Sequence, residues 1–283
     1  MSLDVPSVSL ISNDRDDNTS TSSHQSEQGV SPTALAKWCD QYLQANAFKD
    51  YCPNGLQVDA QQPIRRIVTG VTACEALIDA AIEQNADALL VHHGYFWKGE
   101  PSALTGMKGR RIHKLMQHGI SLLAYHLPLD AHRIIGNNAV LAAQLDLEIT
   151  GGLYPEESHP VGNIATCAPI STSDFQSKLH RVLSRDPLVI FGSSEGADRQ
   201  LQKIALCSGA AQDMIDQAAL MGCDAFISGE ISERTTHSAR ELGVDYFACG
   251  HHATERGGIK ALGELIQREL LLEVSFTDIA NPV

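Results

Sequence analysis

Positive charge is scarce in this chain: 21 Lys and Arg stand against 34 Asp and Glu in 283 residues, a formal net charge of −13. Gripping a nucleic-acid polymer requires Lys and Arg clusters that displace counterions from phosphates, and no such cluster is visible, so nucleic acid is not an expected partner. Free nucleotides stay open as ligands, because bound metal ions can carry the positive charge. Long apolar runs are missing as well. None approaches the roughly 18–20 residues that span a bilayer, and residues 1–30 have neither the basic stretch nor the apolar stretch of a secretion signal, so no membrane association is expected. The seven cysteines, Cys39, Cys52, Cys74, Cys167, Cys207, Cys223 and Cys249, include no C-x-x-C pair. An odd, scattered set in so long a chain is a poor disulfide framework, and the expected compartment is a reducing cytoplasm. There is no G-x-G-x-x-G turn and no G-x-x-x-x-G-K-[ST] loop, which argues against a dinucleotide-dependent oxidoreductase and a P-loop enzyme.

What is present is aliphatic. Hydrophobic residues make up 43% of the chain and aromatics only 5%, a balance that suits an α/β protein built on Ala, Leu, Ile and Val. The length allows one large domain or two of about 100–150 residues. Residues 1–30 are mostly Ser, Asp, Asn and Gln from about position 12 and have little to bury, so they are expected to form a disordered tail. Ser31-Pro32 is a helix start, and Leu35, Trp38, Cys39, Tyr42 and Leu43 then recur on one helical face.

From residue 67 the pattern alternates: a β-branched strand at 67–71, a helix at 73–84, and a buried strand at 88–91 that ends at His92-His93-Gly94. A helix at 109–117 leads into a strand at 121–125, which ends at His126-Leu127-Pro128-Leu129-Asp130. The plan then repeats. Setting Ile67 on Ile204 aligns 67–87 with 204–224 without a gap, and Ala73, Ile78, Asp79, Ala81, Asp87 and Ala88 meet identical residues. Each half also ends a strand in His-x-x-x-carboxylate, His126…Asp130 and His251…Glu255. The expected fold is α/β, with two similar, duplicated halves packed around a dinuclear metal site. The divisions are a tail at 1–30, a first half at 31–149, a Gly- and Pro-rich insert or edge region at 150–200, and a second half at 201–283.

Ligands in parallel α/β sheets gather beyond the carboxyl ends of strands, which is where His92 and His93 lie. Neighbouring strand side chains point in opposite directions, so two ions a few ångströms apart, or a turn at Gly94, would be needed to use both rings. With Asp130, His251 and Glu255 they form a five-residue candidate metal set. Imidazole and carboxylate suit zinc, manganese or iron, and thiolates of a closed structural zinc site are lacking. Glu255 is the expected bridging carboxylate. Because Thr254 resembles an N-cap and Gly257-Gly258 disfavours a helix, His251 is expected at the strand exit and Glu255 in the first turn after it. His126 is the candidate catalytic residue, a proton shuttle, with His132 as its alternative. Tyr95, Phe96, Trp97 and Lys98 are candidates to line a pocket for a planar ring and an anion, or equally to pack at a subunit contact.

The phrases Pro53-Asn54-Gly55-Leu56-Gln57-Val58, His92-His93-Gly94-Tyr95-Phe96-Trp97-Lys98-Gly99-Glu100, His126-Leu127-Pro128-Leu129-Asp130-Ala131-His132, Gly136-Asn137-Asn138, Ser228-Gly229-Glu230 and Gly250-His251-His252-Ala253-Thr254-Glu255-Arg256-Gly257-Gly258 carry a resemblance. Over residues 31–283 the chain resembles the Nif-three-like dinuclear metal-centre family of the YbgI type, whose members are also called GTP cyclohydrolase 1 type 2 homologues. The resemblance implies a duplicated α/β fold, two divalent ions per chain, and a homohexameric ring built as a trimer of dimers. It also implies that His92 and Asp130 hold one ion, that His93 and His251 hold the other, and that Glu255 is shared. His126 would lie beside the site. Two ions suit a metal-dependent hydrolase acting on a small nucleotide-like, phosphoester or cyclic amide substrate. The alternative is a non-catalytic metal-binding assembly or regulatory protein, since likeness of fold does not fix a reaction.

Overall fold

The computed structural model describes residues 29–283. The expected tail at 1–30 therefore lies outside the described residues except for Gly29 and Val30. Val30 pairs with Ile64 in an isolated bridge, with amide bonds of 2.8 and 2.7 Å in the two directions.

Two sheets organise the chain. The first comprises β1 (Gly55–Val58), β2 (Arg66–Thr72), β3 (Ala88–His93), β4 (Ser121–Ala124) and β11 (Glu273–Phe276), in the order β1-β4-β3-β2-β11. All neighbours run parallel except β1, which pairs antiparallel to β4. Its central strands are almost wholly buried, because helices cover both faces. On one face α1 (Pro32–Leu43) and α9 (His251–Leu270) bring Leu35, Cys39, Ile259, Leu262 and Ile266 onto Ile67, Leu90 and Leu123. On the other, α2 (Glu75–Glu83) and α3 (Gly106–Gln117) bring Leu77, Ile78 and Leu115 onto Val68, Leu89 and Leu122. That alternation along each strand is the period of two. α1 begins as its sequence predicts, with the Ser31 hydroxyl accepting the Ala34 amide at 3.2 Å and Pro32 in the first turn.

The second sheet comprises β5 (Glu148–Gly152), β6 (Asn163–Ser171), β7 (Leu188–Ile190), β8 (Gln200–Cys207), β9 (Ala225–Ser228) and β10 (Asp245–Ala248), in the order β5-β6-β8-β9-β10-β7. β8, β9 and β10 run parallel, and β7 pairs antiparallel to β10. One face carries α5 (Asn137–Gln144) and α6 (Thr172–Leu183), through Leu141, Leu145, Phe175 and Leu179. The other carries α7 (Ile215–Leu220) and α8 (Glu233–Leu242), through Ile215, Ala218 and Ala239. Among the described residues no helix is long and apolar enough to cross a membrane, and all seven cysteines carry free thiols.

The halves match strand for strand. β1-β4-β3-β2 and β7-β10-β9-β8 share order and direction. Ile67 pairs with Ala88 as Ile204 pairs with Ala225. One Asp87 carboxylate oxygen accepts the amides of Arg65 and Arg66 at 2.8 and 2.9 Å. Asp224 does the same for Gln202 and Lys203, both at 2.9 Å. The residues of the expected insert at 150–200 join the second sheet, where β7 takes the place that β1 holds in the first. At the far end the chain leaves its own half: α9 packs on the first sheet and β11 extends it beside β2.

One expected correspondence is out of register. The Tyr125 amide donates to Val91 as the Cys249 amide donates to Ser228, so the next residues match as well, His126 with Gly250, each the N-cap of a helix. That helix in the first half is α4 (Leu127–Asp130). His251 thus corresponds to Leu127, and the two His-x-x-x-carboxylate phrases are one residue apart, about 100° of helix rotation. The duplication is carried by the strands and their Asp87 and Asp224 ties. The shared spacing is not an inherited position.

Candidate metal centre

The carboxyl ends of β3 and β4 and the first turn of α9 meet at one buried place. His92 and His93 close β3, and although neighbouring strand residues diverge, the two ring centroids stand 4.5 Å apart. His92 Nε2 lies 3.5 Å from Asp130 Oδ1 and 3.6 Å from Glu255 Oε1. His93 Nε2 and His251 Nε2 each lie 3.2 Å from the other Glu255 oxygen, Oε2. Two trios result, His92–Asp130–Glu255 and His93–His251–Glu255, each with its ligand atoms within 4.8 Å of one another.

α9 begins at His251 itself, one turn earlier than the sequence suggests. His251 and Glu255 are therefore one turn apart on one helical face, rather than a strand-exit residue and a residue of the first turn after it. The misleading signal was Gly257-Gly258. These glycines do not break the helix; they let it approach α5, where a Cβ at 257 would come 2.7 Å from Val140 and one at 258 would come 2.5 Å from the Asn137 side chain. Thr254, expected as the N-cap, sits inside the helix and bonds back to the Gly250 carbonyl at 3.0 Å.

Each imidazole is fixed through Nδ1, which leaves Nε2 for the centre. His92 Nδ1 donates to the Tyr125 carbonyl at 2.8 Å, and His251 Nδ1 donates to Glu230 at 2.7 Å. His93 Nδ1 faces the Thr72 hydroxyl at 3.2 Å. This outer ring of partners sets ring orientation and tautomer in the way metal-ligating histidines need. Asn137 donates to Asp130 at 2.7 Å while its carbonyl accepts the Gly258 amide at 2.8 Å, so one amide side chain ties α9 to Asp130. Asn138 accepts the Ser208 amide at 2.8 Å, and the Ser208 hydroxyl donates to Asp130 at 3.2 Å. Gly209, at φ +67°, passes so close that a Cβ there would meet Glu255 Oε1.

Charge is balanced tightly. Burial alone would lower the His92 pKa, but Asp130 and Glu255 overcome it and push it up to about 9. His251 is likewise pushed up to about 9, against burial, by Glu255 and Glu230. Burial and the neighbouring imidazoles push His93 down to about 3. Burial raises Asp130, only partly opposed by His92, whereas Glu255, despite burial, is held well below the carboxylate range by His92 and His251.

The residues fit a divalent metal ion. His92 Nε2 and Glu255 Oε2 are buried and make no hydrogen bond among the described residues, although imidazoles lie 3.2 Å from that oxygen. Two buried polar atoms without partners are a large penalty unless something else satisfies them. Ligand atoms held at about 2.0–2.1 Å by one tetrahedral ion stand about 3.3 Å apart, close to the spacings seen in both trios.

The other expected residues separate. His126 faces the centre, its ring 5.1 Å from that of His92 and 5.7 Å from that of His93, and with those two it forms a further trio able to hold an ion. Its Nδ1 donates to Asp50 at 2.7 Å, and Asp50 also accepts the Leu127 amide at 2.9 Å. His132 turns away, its ring stacked on Tyr42 at 5.0 Å, and it belongs to none of these trios. Of the aromatic run, Trp97 borders the centre, 5.0 Å from His126, while the Tyr95 hydroxyl is buried on the Ala73 carbonyl. Tyr51, not anticipated, is exposed and stands edge-on to His126 at 6.5 Å. Asp50 was missed too. It lies on a loop, and only the fold brings it to His126.

The sequence pattern of the Duf34/NIF3 (NGG1p interacting factor 3) family matches residues 31–282. A Vibrio cholerae protein named GTP cyclohydrolase 1 type 2 homolog is 53% identical over 243 residues, covering 85% of this chain and 95% of that protein. Among solved structures, a protein ybgI described as of unknown function superposes with a TM-score of 0.84 at 45% identity, covering 90% of this chain and 100% of that one. TTHA1606 from Thermus thermophilus superposes with a TM-score of 0.81 at 32% identity, with the same two coverages of 90% and 100%.

Proposed function

This chain belongs to the Duf34/NIF3 family, and on that premise we propose that it holds two divalent metal ions and uses them to hydrolyse a small substrate. The observation that carries this reading is Glu255, whose Oε1 faces His92 while Oε2 faces His93 and His251. A carboxylate so placed would serve both ions, one of which His92 and Asp130 would hold and the other His93 and His251. The nitrogen and oxygen donors suit zinc, manganese or iron. When bound, two such ions supply paired Lewis acidity, which makes water nucleophilic near neutrality and polarises a phosphoester, amide or ring C–N bond.

The chain's own residues supply binding and proton transfer. Asp50 holds His126 by Nδ1, so that Nε2 faces the centre and takes or gives a proton there. Trp97 and Tyr51 flank His126 and offer faces on which a planar ring stacks. These features favour a nucleotide-like or cyclic amide substrate. The name borne by the Vibrio cholerae relative lies within that class, but fold likeness alone does not select GTP. The homohexameric ring is part of the same proposal, and sedimentation of the purified chain tests it.

The deciding experiment is a turnover screen of metal-loaded protein against nucleotides, phosphoesters and cyclic amides, with metal content measured beside rate. On the substrate found, His126→Ala is expected to keep both ions and slow turnover by roughly 10²–10⁴-fold, the range for losing a general acid or base. If His126→Ala strips an ion as Asp130→Ala does, His126 is a ligand and not a shuttle. Two ions retained with no turnover anywhere in the screen would overturn the hydrolase reading and favour a non-catalytic assembly or regulatory role.

A further inference from the structure

Away from the metal centre, the end of α1, the loop after α4, and β5 with the segment beyond it enclose a cleft of about 860 Å³. That volume falls within the range of small-molecule sites. None of His92, His93, Asp130, His251 and Glu255 lines it; Pro128 and Ala131 of the α4 region form its wall instead. We propose that this cleft binds a small amphipathic anion, a carboxylate or phosphate carried on a ring or a short aliphatic body. The inference goes beyond the hydrolase reading and does not depend on it.

Charge is the first argument. The chain has a net charge of −13, yet none of the described residues lining the cleft is acidic, while His132, Arg133 and His159 all line it. Arg133 is exposed and takes part in no ion pair among the described residues. A cation without a carboxylate, in a chain with carboxylates to spare, leaves the anion to be supplied from outside.

The donors are also pre-arranged. His132 Nδ1 accepts the amides of Ile134 and Ile135 at 3.3 and 3.2 Å. The proton of the neutral ring therefore sits on Nε2, and the ring is fixed by its stack on Tyr42, itself stacked on Trp38 at 5.5 Å. His132 is thus a donor in a set orientation whether neutral or charged. The remaining wall is uncharged: Leu43, Ile149 and Phe48 line the cleft beside Gln44, Thr150, Ser158 and Asn163, and the Phe48 ring stands 5.3 Å from that of His159. A fully hydrated inorganic ion gains nothing from such a wall. A flat or aliphatic body bearing one anionic group satisfies both surfaces.

The test uses the full chain, first treated with chelator, and follows binding of phenylacetate, phenyl phosphate and the neutral phenylacetamide by ligand-observed NMR. At least one anion is expected to bind at least tenfold more tightly than the amide, and the better of the two identifies the carboxylate or the phosphate as the preferred group. Arg133→Ala should weaken that binding tenfold or more, Arg133→Lys should keep most of it, and neither should change the metal content of reloaded protein. Failure of both anions to bind, equal binding of the amide, binding that returns only with metal, or indifference to Arg133→Ala would each overturn the proposal. So would a change of sedimented mass in Arg133→Glu, which would make the cleft a contact between copies.

Discussion

The two halves share their strands but reach the metal centre by different routes. In the first, the strand tips carry the chemistry: His92 and His93 end β3, and His126 and Asp130 follow β4. In the second, the matching tips are small or recessed, with Gly209 after β8, Gly229 after β9 and Gly250 after β10. A Cβ at Gly229 would come 2.7 Å from the His251 backbone, and one at Gly209 would meet Glu255. The second half thus withdraws its tips to admit the first turn of α9, which delivers His251 and Glu255. Glu230, at the position matching His93, faces inward and orients His251 at 2.7 Å, and Ser208 beside Gly209 reaches Asp130. A duplicated scaffold has been made asymmetric at its ends, one copy presenting candidate ligands from strands and the other making room for candidate ligands from a helix.

The largest break in that comparison should come from Glu255, because both trios use it. Glu255→Ala is expected to abolish binding of both ions, whereas Asp130→Ala and His251→Ala should each lower the metal content by about one ion per chain. Elemental analysis after reloading with zinc and removal of excess distinguishes these outcomes. If Glu255→Ala retains one ion in full, the carboxylate is not shared, and the two trios are independent sites.

A matched pair of substitutions tests the recessed tips. Gly209 and Thr72 occupy equivalent positions, yet one faces Glu255 and the other faces His93 with its hydroxyl. Gly209→Ala adds a methyl group where φ is +67° and Glu255 already stands. Strain and overlap together should destabilise the chain by about 1 kcal/mol or more and lower metal content. Thr72→Ala should cost about 0.5–1.5 kcal/mol, the net value of one hydrogen bond, and lower metal content less than Gly209→Ala does, because it frees the His93 ring without crowding Glu255. Equal metal loss in the two variants would show that the recess has no special role.

Much of this was legible in the sequence, for identifiable reasons. His92 and His93 stand out because a buried parallel strand has to end somewhere and polar residues mark the place. The repeat is visible because gapless aliphatic strands and the Asp87 and Asp224 ties keep their spacing. The start of α9 was not legible, because Gly257 and Gly258 read locally as helix breakers and only Val140 and Asn137 across the interface explain them. Asp50 carried no local signal either, since its partner His126 is 76 residues away. The pairing of His126…Asp130 with His251…Glu255 misleads, because the spacing is equal but the first phrase begins at the N-cap of α4 and the second at the first residue of α9.

A smaller effect is expected from pH, and it sharpens the view that each half contributes an imidazole to the charge balance. His92 and His251 have folded pKa values raised to about 9, so their stabilisation is fully present below the unfolded value near 6.5 and is lost as pH rises through 9. His93, lowered to about 3, acts oppositely: the unfolded chain takes up its proton first, and stability falls as pH drops from about 6.5 toward 3. The chelated protein should therefore be most stable near pH 6.5. Zinc-loaded protein, whose imidazoles are already neutral ligands, should lose little between pH 6.5 and 9.5. Urea midpoints for both forms across that range check this, and parallel alkaline losses in the two forms would contradict it.

The smallest expected effect concerns the scaffold itself, where the halves ought to be interchangeable. Asp87 and Asp224 each accept two backbone amides that enter β2 and β8, at 2.8–2.9 Å in the first half and 2.9 Å in the second. Both side chains are half-buried, so solvent screens the charge and the contribution of each is taken as that of an ordinary hydrogen bond, about 1 kcal/mol. Asp87→Asn and Asp224→Asn keep the shape and one acceptor but lose the charge. Each should lower stability by about 1 kcal/mol or less, by equal amounts, and leave metal content unchanged, because neither carboxylate touches the centre. The sites lie in different sheets and share no partner, so the double variant should show the sum of the two losses. Urea unfolding of the three variants measures all of this. Unequal losses would mean that the second half, bordered by antiparallel β6 rather than parallel β11, has come to rely differently on a tie that its geometry still preserves.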